Sequence, residues 1–575
     1  MKKQYIIQAI VVLLVIAAAV FVTLNQTVPP DALPADAPAT EFSAERAMEH
    51  IKVIASKARQ VGTPGFENAR DYVIGELTAL GLSPEIQRTK GTVTAEMLAT
   101  TGRPPDLPAP SPEDVENVIV RIDGAESPEA VLLVAHLDSR NGPGASDDGS
   151  GVAVLLETAR ALQDGPPLRN SVILLFTAPE ETGLHGAAAF ITEHPWIEDV
   201  KLVINFDAGG LSGPSELTNT SPDNSWLISE AAKADTYLYG SSASGEGSSD
   251  FNAFKFYGFS GYAFDYSWDR RIHTPLDNVE NLDPASIQHQ GYHALSLASH
   301  FGNLDSLEDP KEPDPIYFNI LRLGFVHYPT TWVIPIMLVV VLLFAGVVAL
   351  GYKRKVLTLT GIGLGALVFV ISLITAPLLV TALWALLSGL ISTYQETYLG
   401  HAVNESLLLV LFASITIALT TTWFALIQKV RQVSTPDLTI GAYALLAIAT
   451  VVFAIAMPEA SFLSAWAGLF SFLAVGYWFY SIKDDLESFS TSFSIGQLVG
   501  LILAAVATIA LMLPVIVASF MASEAGDWML PLALMVMLLG LLVPQLQIIT
   551  RPNKWWLPLA AWVAAASLLV VALLG

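Results

Sequence analysis

The sequence predicts two architectures in one chain: an α/β domain built on a mixed, mostly parallel sheet flanked by helices, and an all-α membrane domain of many spans. Three observations lead there. Short apolar runs alternate with helical patterns between residues 43 and 302, the mark of a layered α/β sheet. Beyond residue 330 the chain is a series of long apolar runs separated by short polar loops. Charge follows the same division. Eight Lys/Arg and nine Asp/Glu lie after residue 330, and Lys2 and Lys3 are the only charges before residue 25, so the middle holds 19 basic and 44 acidic side chains, a net of −25 against −24 for the whole chain.

Taken in order, residues 1–24 join Lys2 and Lys3 to YIIQAIVVLLVIAAAVFVTL. That stretch exceeds the ~7–15 residues of a signal-peptide core and no small-x-small site follows, so it reads as an uncleaved transmembrane anchor. The Pro/Ala-rich residues 25–42 read as a linker. FSAERAMEHIKVIASK and FENARDYVIGELTALGL have helical spacing, the second stopped near Gly81. NVIVRI and VLLVAH are strand-like; a helix from about Ser150 to Leu162, strand SVILLFTA, helix GLHGAAAFITEH and strand KLVINFD then alternate. Residues 303–330, with LDSLEDPKEPDP, read as a second linker.

Residues 331–575 contain eight runs near or above the ~20 residues that cross a bilayer: 331–352, 356–389, 405–427, 438–457, 462–482, 494–520, 529–548 and 556–574. With the anchor they make about nine spans embedded in a lipid bilayer. Run 356–389 contains Pro377 and reads as one long helix, because two crossings would invert every later loop. The positive-inside rule then puts the N-terminus in the cytoplasm and residues 25–330 outside, periplasmic or exterior in a bacterium and lumenal in a eukaryote. Lys353, Arg354, Lys355, Lys429, Arg431, Lys483, Arg551 and Lys554 all fall on inside loops, whereas the outside loops near Glu396, Glu459 and Glu524 hold no Lys or Arg. No run has an ionisable residue in its central part, which disfavours a coupled pump or an intramembrane protease and leaves an anchoring bundle. The acidic middle argues against nucleic acid as partner, and the absence of cysteine removes thiolate metal sites and thiol catalysis.

The α/β region carries metal-capable side chains where its strands should end: His136 and Asp138 in VLLVAHLDSR, Asp147 in GASDDGSG, Glu180 and Glu181 in TAPEETG, Asp207 in NFDAGG and His273 in RIHTPLDN. Ligands converge at strand carboxyl ends in open α/β sheets. Zinc takes imidazole nitrogen and carboxylate oxygen, and two histidines with three carboxylates hold two ions if one carboxylate bridges. Asp138 shares a strand face with His136 and can orient its ring. Glu180 and Glu181 point differently, so one can bind metal while the other meets water. Each motif alone is unspecific; H-x-D arises by chance and E-E is usually a solvated surface. Their order is what counts.

The succession H-x-D, D-D-G-S-G, E-E, N-F-D and I-H-T resembles the M28 family of zinc aminopeptidases over roughly residues 43–302. With its anchor and multi-span tail, the architecture is similar to the endoplasmic reticulum metallopeptidase 1 and vacuolar membrane protease group of that family. The resemblance implies a zinc aminopeptidase-like fold, a peptide substrate and two Zn2+, with Co2+ or Mn2+ as substitutes. It implies His136 and Asp207 on one ion, Glu181 and His273 on the other, Asp147 bridging, and Glu180 as general base. Asp147 rather than Asp148 takes the bridging place because the pattern sets it three residues before Ser150-Gly151. Apart from the resemblance, Tyr262 or Tyr266 could polarise a tetrahedral oxyanion, each reading equally as a packed aromatic, and Asp250 in SSDF could meet a substrate amine. Arg271 and Ile272 stand where the family has an aromatic residue before the last histidine. Rival readings are glutaminyl cyclase chemistry on the same fold and a non-catalytic membrane scaffold, against which the retained Glu180 speaks. His185, His194, His289, His293 and His300 read as surface or core residues.

Overall fold

Runs such as Val131–Ala135 and Val172–Phe176 are apolar at every position, and a strand of that kind must be covered on both faces. The computed structural model, which describes residues 2–103, 110–244, 247–390, 405–482, 493–523 and 526–574, divides into two units: Val28–Pro329, and Met1–Thr27 together with Thr330–Gly575.

After helix α1 (Lys2–Thr27), the first of these units runs α2 (Ala44–Ile54), α3 (Pro64–Ala79), β1 (Glu85–Gly91), α4 (Ala95–Ala99), β2 (Glu113–Ile122), β3 (Ser127–His136), α5 (Gly149–Asp164), β4 (Asn170–Thr177), α6 (His185–Glu193), β5 (Val200–Phe206), β6 (Glu216–Thr220), α7 (Ser225–Ala231), α8 (Phe251–Phe256), β7 (Gly261–Asp265), α9 (Pro284–Gly302), β8 (Pro315–Ile320) and β9 (Gly324–Pro329). Seven strands form one sheet in the order β1-β2-β4-β3-β5-β7-β6. Strands β4, β3, β5 and β7 are parallel neighbours, while the β1–β2, β2–β4 and β6–β7 pairs are antiparallel. The sheet is therefore mixed, with β2 and β6 running against the other five.

Period-2 geometry divides the sheet's side chains between two cores. Leu133, Ala135, Leu174, Phe176, Ile204 and Phe206 pack with α2, α3, α5 and α9, and Leu132, Val134, Ile173, Leu175 and Val203 pack with α4, α6 and α8. Local chemistry sets the helix ends. Ser43 and Thr63 accept from the N–H groups of Arg46 and Phe66, and Pro64 occupies the first turn of α3 where its missing N–H costs nothing. Helix α3 stops at Gly81, whose φ of 79° lets the Leu82 N–H return to Leu77 O at 3.1 Å.

Both expected linkers are partly built into this unit. Within 25–42, the Leu33 N–H donates to Gln288 Oε1 at 2.8 Å, Arg46 donates to Ala35 O and Ala37 O, and Phe42 is fully buried. Within 303–330, residues 315–329 form the β8–β9 hairpin, which bridges to Ser241 through Phe318. Proline and charge in these segments hid ordered structure that side-chain bonds supply.

In the second unit, eight helices are long and apolar enough to cross a membrane: Gln4–Thr27, Thr330–Lys353, Leu359–Gly389, Glu405–Arg431, Thr435–Ala456, Pro458–Tyr480, Ile495–Ala522 and Trp556–Leu573. The expected run 529–548 is instead a pair, Met529–Leu541 and Val543–Ile549, bent by 67°. Pro544 stands in the first turn of the second piece, where it has no N–H for the preceding turn and its ring crowds the carbonyl behind it. The described residues thus give eight spans, or nine if the bent pair crosses. Pro377 stays inside the single helix Leu359–Leu390. Glu396, Lys483 and Glu524, used above for orientation, lie outside the described residues.

Helix α9 carries two fully buried histidines, His289 and His293, whose Nε2 atoms each lie 2.9 Å from Tyr237 O. Burial pushes both below the ordinary imidazole range, His293 to about 4, and His293 lowers His289 further. Both are neutral in the fold, so their contribution is complete above the unfolded value near 6.5 and is lost as pH falls from there toward the folded values, at up to ~1.4 kcal/mol per pH unit for each. Thermal melts of the full chain between pH 7 and 4.5 should lose stability faster than those of the His289→Gln/His293→Gln variant. Equal slopes would remove this role, since the buried carboxylates titrate in both proteins.

Candidate metal centre

The site assembles at the carboxyl edge of the parallel strands. His136 is the last residue of β3, Glu180 and Glu181 follow β4, Asp207 follows β5, and His273 lies in the loop after β7. Asp147 comes from the loop between β3 and α5. These five ligand candidates and Glu180 are thus brought together from the connections that follow four strands, β3, β4, β5 and β7.

Asp147 lies between the two histidines. Its Oδ1 is 3.0 Å from His136 Nε2 and its Oδ2 is 2.8 Å from His273 Nε2. On one side, Asp207 Oδ1 is 3.7 Å from His136 Nε2; on the other, Glu181 Oε2 is 3.1 Å from His273 Nε2. Two ligands on one tetrahedral zinc with ~2.0–2.1 Å bonds stand about 3.3 Å apart, so each of these separations is near the length of one edge of such a shell; Asp147, Glu181 and His273 lie close enough together to hold one ion, and His136, Asp207 and Asp148 another. Glu181 Oε1 is buried with no partner among the described residues, an orphan acceptor that a cation would satisfy. The donor set and that orphan fit zinc.

Asp148 also comes within reach of His136 and Asp207. Its carboxylate is engaged elsewhere: Oδ2 accepts the His136 backbone N–H at 3.0 Å, and Oδ1 caps α5 by accepting the Gly151 N–H at 2.8 Å. The Asp147–Asp148 peptide bond is cis. His273 adopts φ 57°, an uncommon backbone region for a side chain of this size.

Asp138 acts differently from expectation. The His136 ring is met at Nδ1 by the Asp138 backbone carbonyl, 3.2 Å away, whereas the carboxylate is 3.6 Å off. The carboxylate instead accepts the backbone N–H groups of Glu180 at 2.9 Å and Glu181 at 3.2 Å, clamping the turn that carries both glutamates. With Nδ1 facing a carbonyl, Nε2 is the ring atom turned toward Asp147 and Asp207, and it is the nitrogen that a bound metal would take in place of a proton.

The tyrosines depart from expectation as well. Tyr262 is fully buried and its hydroxyl donates to Leu227 O in the core beside α7. Tyr266 is fully buried with its hydroxyl 2.8 Å from both Ser146 Oγ and Ser150 Oγ, behind the Asp147 loop. Each hydroxyl is committed inside the fold rather than to a substrate oxyanion. Asp250 is buried, bonded to Thr177 Oγ1 through one oxygen and with the other, Oδ1, unpartnered among the described residues. His185, His194, His289, His293 and His300 bond to Gly91 O, Glu85, Tyr237 O, Tyr237 O and Glu230, away from the cluster.

Two supports were not legible in the sequence. Asp277, four residues after His273, accepts the backbone N–H groups of Ser146 at 2.7 Å and Asp147 at 3.2 Å. Arg59 is fully buried and its guanidinium donates to Leu137 O, Pro143 O and Gly144 O, fixing the loop from beneath.

The electrostatics are those of crowded acids in a dry place. Burial pushes Glu180 well above the usual carboxyl range, with Asp250, Asp207 and Glu181 adding to the rise. Burial likewise carries Asp250 and Asp277 to about 7. For His273, burial works downward, but hydrogen bonds to Asp147 and Glu181 outweigh it and raise the ring to about 11. Asp147 shows the reverse balance: burial raises it, and the bonds to His136 and His273 hold it below the ordinary range. So much negative charge around two imidazoles is what a pair of divalent cations would neutralise.

Residues 117–298 match the model of Peptidase family M28. Mouse endoplasmic reticulum metallopeptidase 1 is 28% identical over 400 residues, 63% of this chain and 43% of that protein. A vacuolar membrane protease of Candida dubliniensis is 29% identical over 239 residues, 40% of this chain and 25% of that protein. The chain thus spans less than half the length of these curated relatives. Among solved structures, BSAP, a zinc aminopeptidase from Bacillus subtilis, aligns with a TM-score of 0.39 and 17% identity, over 48% of this chain and 98% of that one. The chain therefore carries a Peptidase family M28 domain and is a relative of endoplasmic reticulum metallopeptidase 1 and the vacuolar membrane proteases.

Proposed function

We propose that this protein is a membrane-anchored two-metal aminopeptidase that removes N-terminal residues from peptides by attack of water on the first peptide carbonyl. The observation that carries the reading is Asp147, whose two oxygens meet a different histidine each. In this reading His136 and Asp207 hold one zinc, Glu181 and His273 hold the other, and Asp147 is shared; the same donors accept cobalt or manganese. Zinc, when bound, supplies a Lewis acid for the scissile carbonyl and makes water more acidic.

Glu180 is the general base. Its backbone N–H is clamped by Asp138 at 2.9 Å, so the turn is held without the side-chain carboxyl. A carboxyl raised by burial suits a group that takes a proton from water and hands it to the leaving amine. Asp250, with one buried oxygen unshared, meets the substrate's α-ammonium. The bundle anchors the catalytic unit in a bilayer, with the N-terminus cytoplasmic and residues 28–329 outside; the basic loops at Lys353–Lys355 and Lys429–Arg431 support that orientation.

The test uses the full chain in detergent or nanodiscs with aminoacyl anilides and with peptides whose N-termini are free or acetylated. The expected result is release from free N-termini only, lost on chelation and restored by zinc. Pyroglutamate formation from N-terminal glutamine without hydrolysis elsewhere would move the assignment to cyclase chemistry.

A further inference from the structure

The loop from Leu137 to Ala145 joins two proposed metal ligands, and its underside is fixed. Arg59 donates to three of its carbonyls, and Ser139 Oγ donates to Gly142 O at 3.0 Å. Its tip turns at Asn141, with φ 58°, and packs against the His273 loop so closely that a Cβ at Gly142 would stand 2.3 Å from Thr274 O. The exposed residue next to this tip is Arg140.

Arginines elsewhere in the unit are committed: Arg46, Arg70, Arg88, Arg121, Arg160, Arg169 and Arg271 to carboxylates, and Arg59 and Arg322 to carbonyls. Arg103 and Arg270 also have partners. Among the described residues of Val28–Pro329, Arg140 is the arginine with neither hydrogen bond nor ion pair. An unpaired guanidinium in a region of 44 acidic side chains, held on a rigid loop two residues from Asp138, is available to a ligand's carboxylate, which it can grip with two parallel N–H bonds.

We infer that Arg140 is a specificity-determining residue and that the site prefers peptides bearing an acidic side chain at the residue flanking the scissile bond. This rests on the aminopeptidase reading above. The readout is the ratio of kcat/KM for Glu over the near-isosteric Gln, so that a general loss of activity cancels. Glu- and Gln-anilides probe the N-terminal residue, and Ala-Glu and Ala-Gln peptides probe the next.

In the full chain one of these two ratios should favour Glu, and Arg140→Gln should lower it by roughly 10- to 100-fold, as for a charged hydrogen bond, with partial recovery in Arg140→Lys. A wild-type ratio near one at both positions, or a ratio unchanged in Arg140→Gln, would overturn the inference. If no substrate is turned over, the aminopeptidase reading fails separately. The inference is then judged by the thermal shift that glutamyl hydroxamate gives over glutaminyl hydroxamate on zinc-loaded protein, and equal shifts in wild type and Arg140→Gln refute it.

Discussion

Glu180→Gln lowers kcat by roughly 10²- to 10⁴-fold, the range for loss of a general base, while the protein keeps its full zinc content. The argument is one of separable roles for neighbouring carboxylates. The Glu180 backbone N–H is bound by Asp138 and survives the change, so the turn keeps its shape. Glu181 Oε2, 3.1 Å from His273 Nε2, is untouched, so the proposed ligand set survives too. Glutamine preserves size but cannot accept a proton at this pH. Glu181→Gln provides the contrast, because there zinc content falls along with rate. The pair is checked by kcat and metal analysis on the same preparations. A Glu180→Gln protein with wild-type turnover, or one that has lost metal, would remove Glu180 from the role of base.

How much of this was legible beforehand depended on the range of the interaction that fixes each feature. Strands β3, β4 and β5 were plain because each centres on an apolar run, VLLVA, VILLF and LVI, with a ligand candidate within four residues of that run's end, and both signals are local. The β8–β9 hairpin was not, because its first strand begins at Pro315 after a charged stretch and is held by a bridge to Ser241. Asp277 gave no sign of its role because its two oxygens serve backbone groups about 130 residues away. Arg59 sits in a polar stretch, KARQVG, that resembles a solvated turn, yet it is fully buried. Tyr262 and Tyr266 carried the reverse ambiguity. A tyrosine beside a site motif reads equally as a catalytic hydroxyl or as core, and the partners Leu227 O, Ser146 and Ser150 decide it. Asp138 was assigned to the right neighbourhood, with its carboxylate 3.6 Å from His136 Nδ1, but a period-2 argument locates a side chain's face without saying that the Glu180 and Glu181 N–H groups also compete for it. The bent pair shows the same limit: composition marks 529–548 as one span, while one proline sets where it breaks.

Asp147→Ala should reduce binding at both metal positions at once, whereas His273→Ala should weaken mainly one. Asp147 faces both histidines, 3.0 Å from one and 2.8 Å from the other, so in the proposed two-metal reading its removal strips a ligand from two shells and the shared negative charge between them. The loss should exceed the roughly 10–100-fold in affinity typical of an outer support. Asp277→Asn supplies that lesser case, because it perturbs only the residue that holds the Ser146 and Asp147 N–H groups. The three variants thus order themselves by position: Asp147→Ala loses both ions, His273→Ala retains one, and Asp277→Asn binds two less tightly. Titration of the metal-stripped full chain with zinc, followed by competition with a chelator of known affinity, gives stoichiometry and affinity together. If Asp147→Ala loses a single ion and binds the other as wild type does, Asp147 is a terminal ligand and its two histidine contacts are an acid paired with two bases.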